Sequence, residues 1–275
     1  MRRQIVLVTG ASSGIGLAIA KEFINKGFKV YGTTRNPEKI EMEYTGKIVF
    51  LPLEITDQQS RKTCVEQILN LEGNIDILVN NAGYGQMGPL AEMPVEIMRK
   101  QFDVNLIGPA SITQMVIPAM VKQKSGMIVN ICSISGVMPS AFAGTYCASK
   151  AALNAWSDSL RMELKPFGIK VITVQPGAIL SNFGNTAEDS LVFNREQSFY
   201  APIAEFINKR AQISQEGASS AEEFARRLIR QLTKERPKAI IRIGKSSIIY
   251  PLLKRWLPTI MLDKIISKKF GLTRL

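Results

Sequence analysis

The chain alternates short apolar runs with amphipathic segments of helical length, and this alternation constrains its fold more than any other feature. Six runs rich in Val, Ile and Leu begin near residues 4, 29, 47, 75, 126 and 169. Their apolar residues are largely consecutive, as in strands that are covered on both faces. Because parallel neighbours need crossover connections, the repeated pattern predicts an α/β fold with a doubly wound parallel sheet. A short further strand is expected at 239–243.

The alternation stops after Pro176. Residues 178–218 contain no clear strand, and a helix is expected from Ser220, whose hydroxyl can cap it with Glu223 three residues on, to just before Pro237. No stretch has the composition of a linker. We therefore expect one domain over residues 1–245, followed by a C-terminal helical extension over 246–275.

The absence of histidine excludes several kinds of chemistry. His-liganded metal sites and nucleophiles activated by an imidazole are not available to this chain. The cysteines, Cys64, Cys132 and Cys147, are three in number and lack CxxC spacing. They predict neither a disulfide framework nor a zinc site, so no metal is expected and a reducing cytoplasm is the expected compartment. The run before Gly10 is too short for a signal peptide.

The net charge of +12 is unevenly distributed. Residues 1–216 hold 21 basic and 19 acidic residues, whereas residues 217–275 hold 14 basic and 4 acidic residues. The positive charge is therefore a property of the C-terminal region, where it bears on partners more than on catalysis.

The segment TGASSGIG at residues 9–16 follows the first apolar run and opens the first helical segment. Gly10 permits a tight turn, Gly14 lets the backbone approach a diphosphate, and Gly16 lets helix and strand pack closely, while the helix N–H groups favour negative charge. A plain strand-to-helix loop is the alternative, and a P-loop is excluded because its Lys is missing. The strand-helix-strand context favours a dinucleotide-binding turn over a plain loop.

The end of the second predicted strand bears on the choice of cofactor. It reads Thr33, Thr34, Arg35, without the carboxylate that would bind ribose hydroxyls. The Arg35 guanidinium suits a phosphate, and Ser13 offers a further hydroxyl. We expect NADP(H) rather than NAD(H), with a solvated loop arginine as the alternative.

Tyr146 and Lys150 lie four residues apart at the start of a helical segment expected at 146–166, so they share one face. Ser133 follows a predicted strand at its carboxyl end, where open α/β sheets bind ligands. A tyrosine titrates near pH 10 in isolation, so acting as an acid near neutral pH requires a neighbouring cation, which Lys150 provides. A chance helical pair and a turn hydroxyl are the alternatives.

These segments together resemble the short-chain dehydrogenase/reductase family, which implies a Rossmann fold. The resemblance covers residues 9–181 and rests on TGASSGIG, NNAG at 80–83, Asn105 in FDVNLIG, Ser133, Tyr146, Lys150, and PGAI at 176–179. The segments GYGQMGPL and VYGTTRNPEK look like the branch of hydroxysteroid, retinol and acyl-dihydroxyacetone-phosphate reductases.

The resemblance implies a role for each catalytic candidate. Tyr146 would exchange a proton with the substrate oxygen, and Ser133 would bind the same oxygen. Lys150 would also bind the nicotinamide ribose, and Asn105 would hold a water that links Lys150 to solvent. The implied cofactor-binding residues are Gly10, Ser12, Ser13, Gly14, Ile15, Gly16, Arg35, Glu54, Ile55, Asn81, Ala82, Gly83, Tyr146, Lys150, Pro176, Gly177, Ile179 and Ser181.

Two of these positions depart from the family's pattern. Glu54 replaces the usual Asp, and its side chain is one methylene longer; the resemblance implies that it contacts the adenine amino group. Ser181 replaces the usual Thr and keeps its hydroxyl. Neither change removes a group that the chemistry needs.

The segment after PGAI covers the substrate pocket in this family, here at about residues 180–216. Its aromatic residues favour a lipophilic substrate of the steroid, retinoid or acyl-lipid class. The alternatives are that the aromatic residues belong to an ordinary core, that the chain reduces polar carbonyls, or that it is a non-catalytic NADP(H)-binding regulator. The aromatic residues are Phe183, Phe193, Phe199, Tyr200 and Phe206.

The extension 246–275 combines apolar residues with six basic residues and one acidic residue, and it is interrupted by prolines. Charges and prolines leave no apolar run long enough to span a membrane. The extension is expected either to pack on the enzyme or a second subunit, or to contact a membrane surface peripherally. No nucleic-acid partner is expected, and the resemblance implies a homodimer or homotetramer.

Overall fold

A sheet of parallel strands organises the computed structural model, which describes residues 3–40, 46–212 and 217–275. Within those ranges the sheet has seven strands in the order β3-β2-β1-β4-β5-β6-β7. The strands are β1 (Ile5–Val8), β2 (Lys29–Thr34), β3 (Val49–Pro52), β4 (Ile77–Asn80), β5 (Gly126–Ile131), β6 (Ile169–Pro176) and β7 (Ile240–Ile243). The predicted doubly wound α/β fold is confirmed, including the short strand at its edge.

In the described ranges, helices connect most pairs of successive strands, and the last two helices come after β7. They are α1 (Gly14–Asn25), α2 (Gln58–Glu72), α3 (Val95–Phe102), α4 (Gly108–Lys122), α5 (Gly144–Leu164), α6 (Phe183–Asp189), α7 (Ala204–Gln212), α8 (Ala221–Leu232), α9 (Ile249–Trp256) and α10 (Thr259–Lys269). Ser220 caps α8 as predicted, because its hydroxyl accepts a hydrogen bond from the Glu223 N–H at 3.1 Å.

Both faces of the sheet are covered, which explains the consecutive apolar residues in its strands. On one face Phe23 of α1 and Phe224 of α8 pack against strand residues such as Val129. On the other face α2, α4 and α5 contribute Ile68, Val116, Leu160 and their neighbours. Two separate apolar cores therefore hold the sheet rigidly between layers of helices.

The strand order reverses beside β1. Val6 of this strand pairs with Val30 of β2 on one side and with Ile77 of β4 on the other. The connections from β1 and β4 therefore leave the sheet in opposite directions and open a crevice at the carboxyl ends of the strands. Such a switch point is where open α/β sheets bind ligands.

The sequence does not define the boundaries of the helical segment near residues 93–123, because Pro109 and Pro118 lie within it. The helix runs from α3 through a π-helical turn, Asp103–Ile107, into α4, where Pro109 lies in the first turn and Pro118 lies inside the helix. By length and composition the run Val95–Lys122 could cross a membrane. Its inner face lies in the sheet core, however, since Val116 and Met120 are fully buried.

The C-terminal extension forms α9 and α10. Phe270, just after α10, is buried in an aromatic cluster with Phe142, and their ring centroids are 6.4 Å apart. The extension thus lies beside the carboxyl ends of the strands. Residues 213–216, the end of the predicted pocket cover, lie outside the described residues.

Candidate active site

A cavity of about 1490 Å³ extends along the carboxyl ends of the strands. This volume exceeds that of a typical single-ligand pocket, so it can hold a dinucleotide together with a substrate. All the predicted site residues except Asn105 line it. The doubly wound topology gathers them, because the loops after all parallel strands meet at the same edge.

The glycine-rich turn has the geometry that its sequence predicts. Gly10 adopts a φ of 64°, and a Cβ on Gly16 would lie 2.2 Å from the carbonyl oxygen of Gly10. Only glycine lets α1 begin this close to the turn. The side chain of Ser13 makes no capping bond with the described N–H groups of the first turn. An uncapped helix start next to a tight glycine turn fits the diphosphate of a dinucleotide.

Thr9 and Asn81 join this turn to the loop after β4. The Thr9 hydroxyl accepts hydrogen bonds from the N–H groups of Asn81 and Ala82, both at 3.0 Å. The Asn81 side chain donates to the carbonyl oxygens of Thr9 and Gly10 at 2.9 and 3.1 Å. Thr9 was not among the site residues predicted from the sequence. Its position directly before the glycine-rich turn is the signal that points to its structural role there.

Arg35 and Glu54 lie at the end of the cavity formed by the loops after β2 and β3, and both are exposed. The Glu54 carboxylate accepts bonds from the N–H and hydroxyl of Thr56 at 3.1 and 2.8 Å. Burial opposes ionisation of Glu54, but the bonds from Thr56 and the charge of Arg35 lower its pKa overall. Glu54 is therefore held by Thr56 and remains anionic, while Arg35 presents its charge to the cavity.

Ser133, Tyr146 and Lys150 meet at the centre of the cavity, and each is at least nine-tenths buried. The Ser133 hydroxyl accepts a bond from the Ser135 N–H at 3.0 Å, which orients it at the end of β5. Tyr146 and Lys150 lie one turn apart at the start of α5. The Lys150 ammonium donates to the carbonyl oxygen of Ile131 at 2.8 Å. Two hydrogen bonds therefore orient Ser133 and Lys150, and the first turn of α5 holds Tyr146 beside them.

The electrostatics at Tyr146 differ from the expectation. Burial raises the pKa of Tyr146 to about 12, against a side-chain hydrogen bond with Ser133 and the positive charge of Arg210, which lower it. Burial likewise lowers the pKa of Lys150. Arg210 is thus a nearby cation that lowers the pKa of Tyr146, but the net shift is upward. The physical reason is desolvation, which at this depth outweighs the neighbouring charges.

Asn105 lies outside the cavity lining but next to it. It sits in the π-helical turn, fully buried, and exchanges two hydrogen bonds with the Tyr84 backbone at 3.2 and 3.1 Å. It also donates to the Ser149 hydroxyl at 3.0 Å. A Cβ on Gly83 would be 2.9 Å from the Asn105 side-chain oxygen and 3.5 Å from the Lys150 nitrogen. Asn105 and Lys150 therefore face one another across Gly83.

The aromatic residues of the cover divide into three groups. Phe183 lines the cavity, and its ring centroid is 5.2 Å from that of Tyr146. Phe193, Tyr200 and Phe206 pack instead around Phe142 and Phe270 in an aromatic cluster. Phe199 is 80% exposed. The expectation of an aromatic pocket cover holds for Phe183 alone, because the C-terminal extension takes up most of the other rings.

Several residues that line the cavity opposite the sheet were not predicted from the sequence. Ser140, Arg210 and Tyr250 line the cavity beside Leu253 and Ile266 of the extension. Neither α7 nor the extension carries a recognisable motif, so only their packing brings them to the site.

A doubly wound sheet with a glycine-rich turn after β1 defines a Rossmann-type, dinucleotide-binding protein. The chain belongs to the short chain dehydrogenase family, whose model matches residues 4–191. It is therefore an oxidoreductase of a family that uses a nicotinamide cofactor and acts on small molecules.

Relatives match over almost the whole chain. A 3-ketodihydrosphingosine reductase from Bacteroides thetaiotaomicron is 32% identical over 264 residues, covering 96% of each chain. An NADPH-dependent 3-dehydrocapnine reductase from Ornithobacterium rhinotracheale is 30% identical over 271 residues, covering 95% of each chain. The crystal structure of a short-chain dehydrogenase from Streptomyces avermitilis is similar with a TM-score of 0.81 and 30% identity, covering 99% of this chain and 97% of that one.

Proposed function

We propose that this chain is an NADP(H)-dependent oxidoreductase that interconverts a carbonyl and an alcohol on a lipophilic substrate, with Tyr146 as the acid and base. The observation that carries the proposal is the meeting of Ser133, Tyr146 and Lys150 in the cavity that begins at the glycine-rich turn. A binding protein without turnover has no need for all three groups.

The proton step follows from the positions of the side chains. Tyr146 is protonated near neutral pH and can donate its proton to a carbonyl oxygen, and the Ser133 hydrogen bond and the charge of Arg210 partly offset the burial that raises its pKa. Ser133 is held in place to bind the same oxygen, and Lys150 lies one turn along the helix from Tyr146. The bound nicotinamide supplies the hydride. Asn105 sits where a water between it and Lys150 would return the proton from solvent.

NADP(H) is preferred to NAD(H) on the basis of Arg35. Its guanidinium lines the cavity at the end of β2, and the neighbouring hydroxyls of Ser12 and Ser13 are exposed at the glycine-rich turn. This pairing suits a ribose phosphate. The relative from O. rhinotracheale, which is named as NADPH-dependent, supports the assignment.

A lipophilic substrate is supported by the lining beyond Tyr146. Phe183 contacts Tyr146, and Leu253, Ile265 and Ile266 of the extension line the far side. The relative named as a 3-ketodihydrosphingosine reductase favours an acyl-lipid ketone over a steroid or a retinoid.

The decisive experiment follows NADPH oxidation with long-chain ketones and compares Tyr146→Phe and Lys150→Ala with the unmodified enzyme. We expect Tyr146→Phe to lower kcat by about 10²–10⁴-fold, because it removes the proton donor and keeps the ring. Lys62→Met on exposed α2 serves as the control. Full turnover by the Tyr146 and Lys150 variants would refute the mechanism. NADPH binding without turnover of any carbonyl would favour the regulatory alternative.

The cofactor preference has a separate test in thermal unfolding. NADPH should raise Tm more than NADH at equal concentration, and Arg35→Ala should remove the difference. Greater stabilisation by NADH would contradict the role of Arg35.

We further infer that the chain is cytoplasmic and that its extension contacts anionic membranes. Its three cysteines are free and buried, as in reducing compartments. Large apolar side chains of the extension are exposed, Trp256 by 74% and Ile260 by 71%. Lys254, Arg255 and Lys264 are interspersed among them. An apolar surface with a basic fringe complements an anionic lipid interface.

Vesicle flotation tests the membrane contact. The chain should float with vesicles that contain phosphatidylglycerol and much less with phosphatidylcholine alone. Trp256→Ser combined with Ile260→Ser should abolish flotation, whereas Phe199→Ser, which removes an exposed aromatic ring elsewhere, should not. Absence of flotation, together with a dimer by light scattering that the double variant dissociates, would assign the surface to a second copy of the chain instead.

A further inference from the structure

Arg210 of α7 is a buried cation whose charge is left uncompensated by the described part of the chain. Its relative exposure is 6%, and its Nη2 donates to the Ser140 hydroxyl at 2.9 Å. Its buried Nε has no hydrogen-bond partner among the described residues. The Phe270 ring also lies beside Arg210, with its centroid 5.8 Å from the guanidinium carbon. No carboxylate among the described residues forms an ion pair with Arg210.

This arrangement is costly for the fold. Arginine stays charged in proteins, and a buried charge is normally paired with an opposite charge. One neutral hydroxyl and one aromatic face do not replace the water that the guanidinium gives up. A buried, incompletely bonded cation in a ligand cavity is therefore typical of a group that receives its partner from the ligand.

The position of Arg210 indicates which ligand that is. It lines the cavity that holds Ser133 and Tyr146, and its hydrogen-bond partner Ser140 lies on the loop between these two residues. Its charge also acts on Tyr146 and Tyr250. Arg210 and Tyr250 belong to the side of the cavity formed by α7 and the extension, whereas Arg35 and the glycine-rich turn come from the loops after β2 and β1.

We propose that Arg210 binds an anionic acid group on the substrate, close to the carbonyl that is reduced at Tyr146. A carboxylate, phosphate or sulfonate offers the paired oxygens that the planar guanidinium binds best. Phe270 lies beside Arg210, and Leu253 and Ile266 of the extension line the same cavity, so that these apolar side chains would cover a hydrocarbon chain. The substrate is thus an anionic amphiphile, a conclusion that deepens the proposed function and rests on it.

Binding measurements test this without relying on turnover. Dodecanoate, dodecyl phosphate and dodecane sulfonate are titrated into the NADPH-bound chain beside neutral dodecanol, and the three anions distinguish the acid groups. We expect at least one anion to bind about tenfold or more tightly than dodecanol. Arg210→Gln should abolish the preference, Arg210→Lys should keep part of it, and Arg226→Gln, an exposed arginine on α8, should not change it. Circular dichroism and NADPH affinity confirm that the variants are folded.

Kinetics then connect the site to the reaction. For a long-chain ketone acid and its methyl ester, the ratio of kcat/KM should favour the acid, and Arg210→Gln should bring this ratio close to one. Equal binding of anions and dodecanol by the unmodified chain, or a preference unchanged in Arg210→Gln, would overturn the proposal. So would a large loss of NADPH affinity in Arg210→Gln, which would assign the cation to the cofactor. Anion binding at Arg210 without turnover of any ketone would instead refute the proposed function and leave this site standing.

Discussion

Replacing Lys150 by Met should stabilise the ligand-free protein while abolishing its activity. Lys150 is 5% exposed, and its ammonium donates to a single described acceptor, the Ile131 carbonyl oxygen at 2.8 Å. Burial lowers its pKa, with only the Cys132 thiol acting against this. The folded state therefore bears the cost of an unpaired buried cation that the unfolded chain leaves in water.

The size of the effect follows from two opposing contributions. Removing a buried charge in favour of a matched apolar side chain gains about 1–4 kcal/mol, and losing the bond to Ile131 costs about 1 kcal/mol. Lys150→Met should then add about 1–3 kcal/mol to the free energy of unfolding. For a chain of this size each kcal/mol raises Tm by about 2–4 °C.

The lowered pKa of Lys150 determines how the stability difference between Lys150→Met and the unmodified protein changes with pH. Because the pKa of Lys150 is lower in the folded chain, the unfolded chain binds more protons at pH values between the folded pKa and 10.5. The stability of the unmodified protein is complete above the unfolded pKa, 10.5, and declines as pH falls through the folded pKa. The advantage of Lys150→Met should therefore be largest near neutral pH and should shrink as pH approaches 10.5.

Urea unfolding followed by far-ultraviolet circular dichroism measures this difference at several pH values. Lys62→Met is the control, since Lys62 is 57% exposed on α2 and should change stability by no more than about 0.5 kcal/mol. A Lys150→Met variant that is equally stable or less stable at pH 7, beside a neutral control, would show that burial of Lys150 carries no cost.

Three further outcomes are expected. Asn105→Ala should lower the free energy of unfolding by about 2–4 kcal/mol, because it leaves the N–H and carbonyl of Tyr84 without their side-chain partner. A loss below about 0.5 kcal/mol in urea unfolding would contradict this. Phe224→Ala should cost about 3–5 kcal/mol, since the fully buried ring fills the core between α8 and the sheet, and a shift in Tm of only a degree would count against that packing. Between pH 9 and 11 the free energy of unfolding should fall by about 1.4 kcal/mol less in Tyr146→Phe than in the unmodified chain. The reason is that the raised pKa of Tyr146 makes the folded state retain a proton that the unfolded chain releases. Parallel curves of unfolding free energy against pH would refute this.

The fold could be predicted because each of its determinants is local. Consecutive Val, Ile and Leu residues and the amphipathic segments between them require a sheet covered on both faces, whatever the details of packing. The helix cap at Ser220 likewise depends on its own hydroxyl and the N–H three residues on. The glycine-rich turn belongs to the same group, because the left-handed φ of Gly10 is a property of one residue type.

The catalytic candidates were found for a related reason. Ser133, Tyr146 and Lys150 follow a strand or open a helix, and a parallel sheet necessarily gathers such positions at one edge. Their electrostatics did not follow, because the pKa of a side chain depends on burial by distant segments. Burial is the largest influence on the pKa of Tyr146, and Arg210 of α7 is among the neighbours that lower it; spacing along the chain reveals neither.

The sequence by itself determined the layered α/β sheet, the glycine-rich turn and the residues that meet at its edge. Only the tertiary structure decided what covers that edge: α7 and the extension, with Arg210 buried in the cavity that Ser140, Phe270 and Tyr146 also line. The difference is physical, because strand, turn and cap preferences act between neighbours in the chain, whereas the environment of Arg210 is created by contacts between segments up to 70 residues apart. Specificity for a substrate therefore lies in the part of the molecule that local sequence patterns describe least.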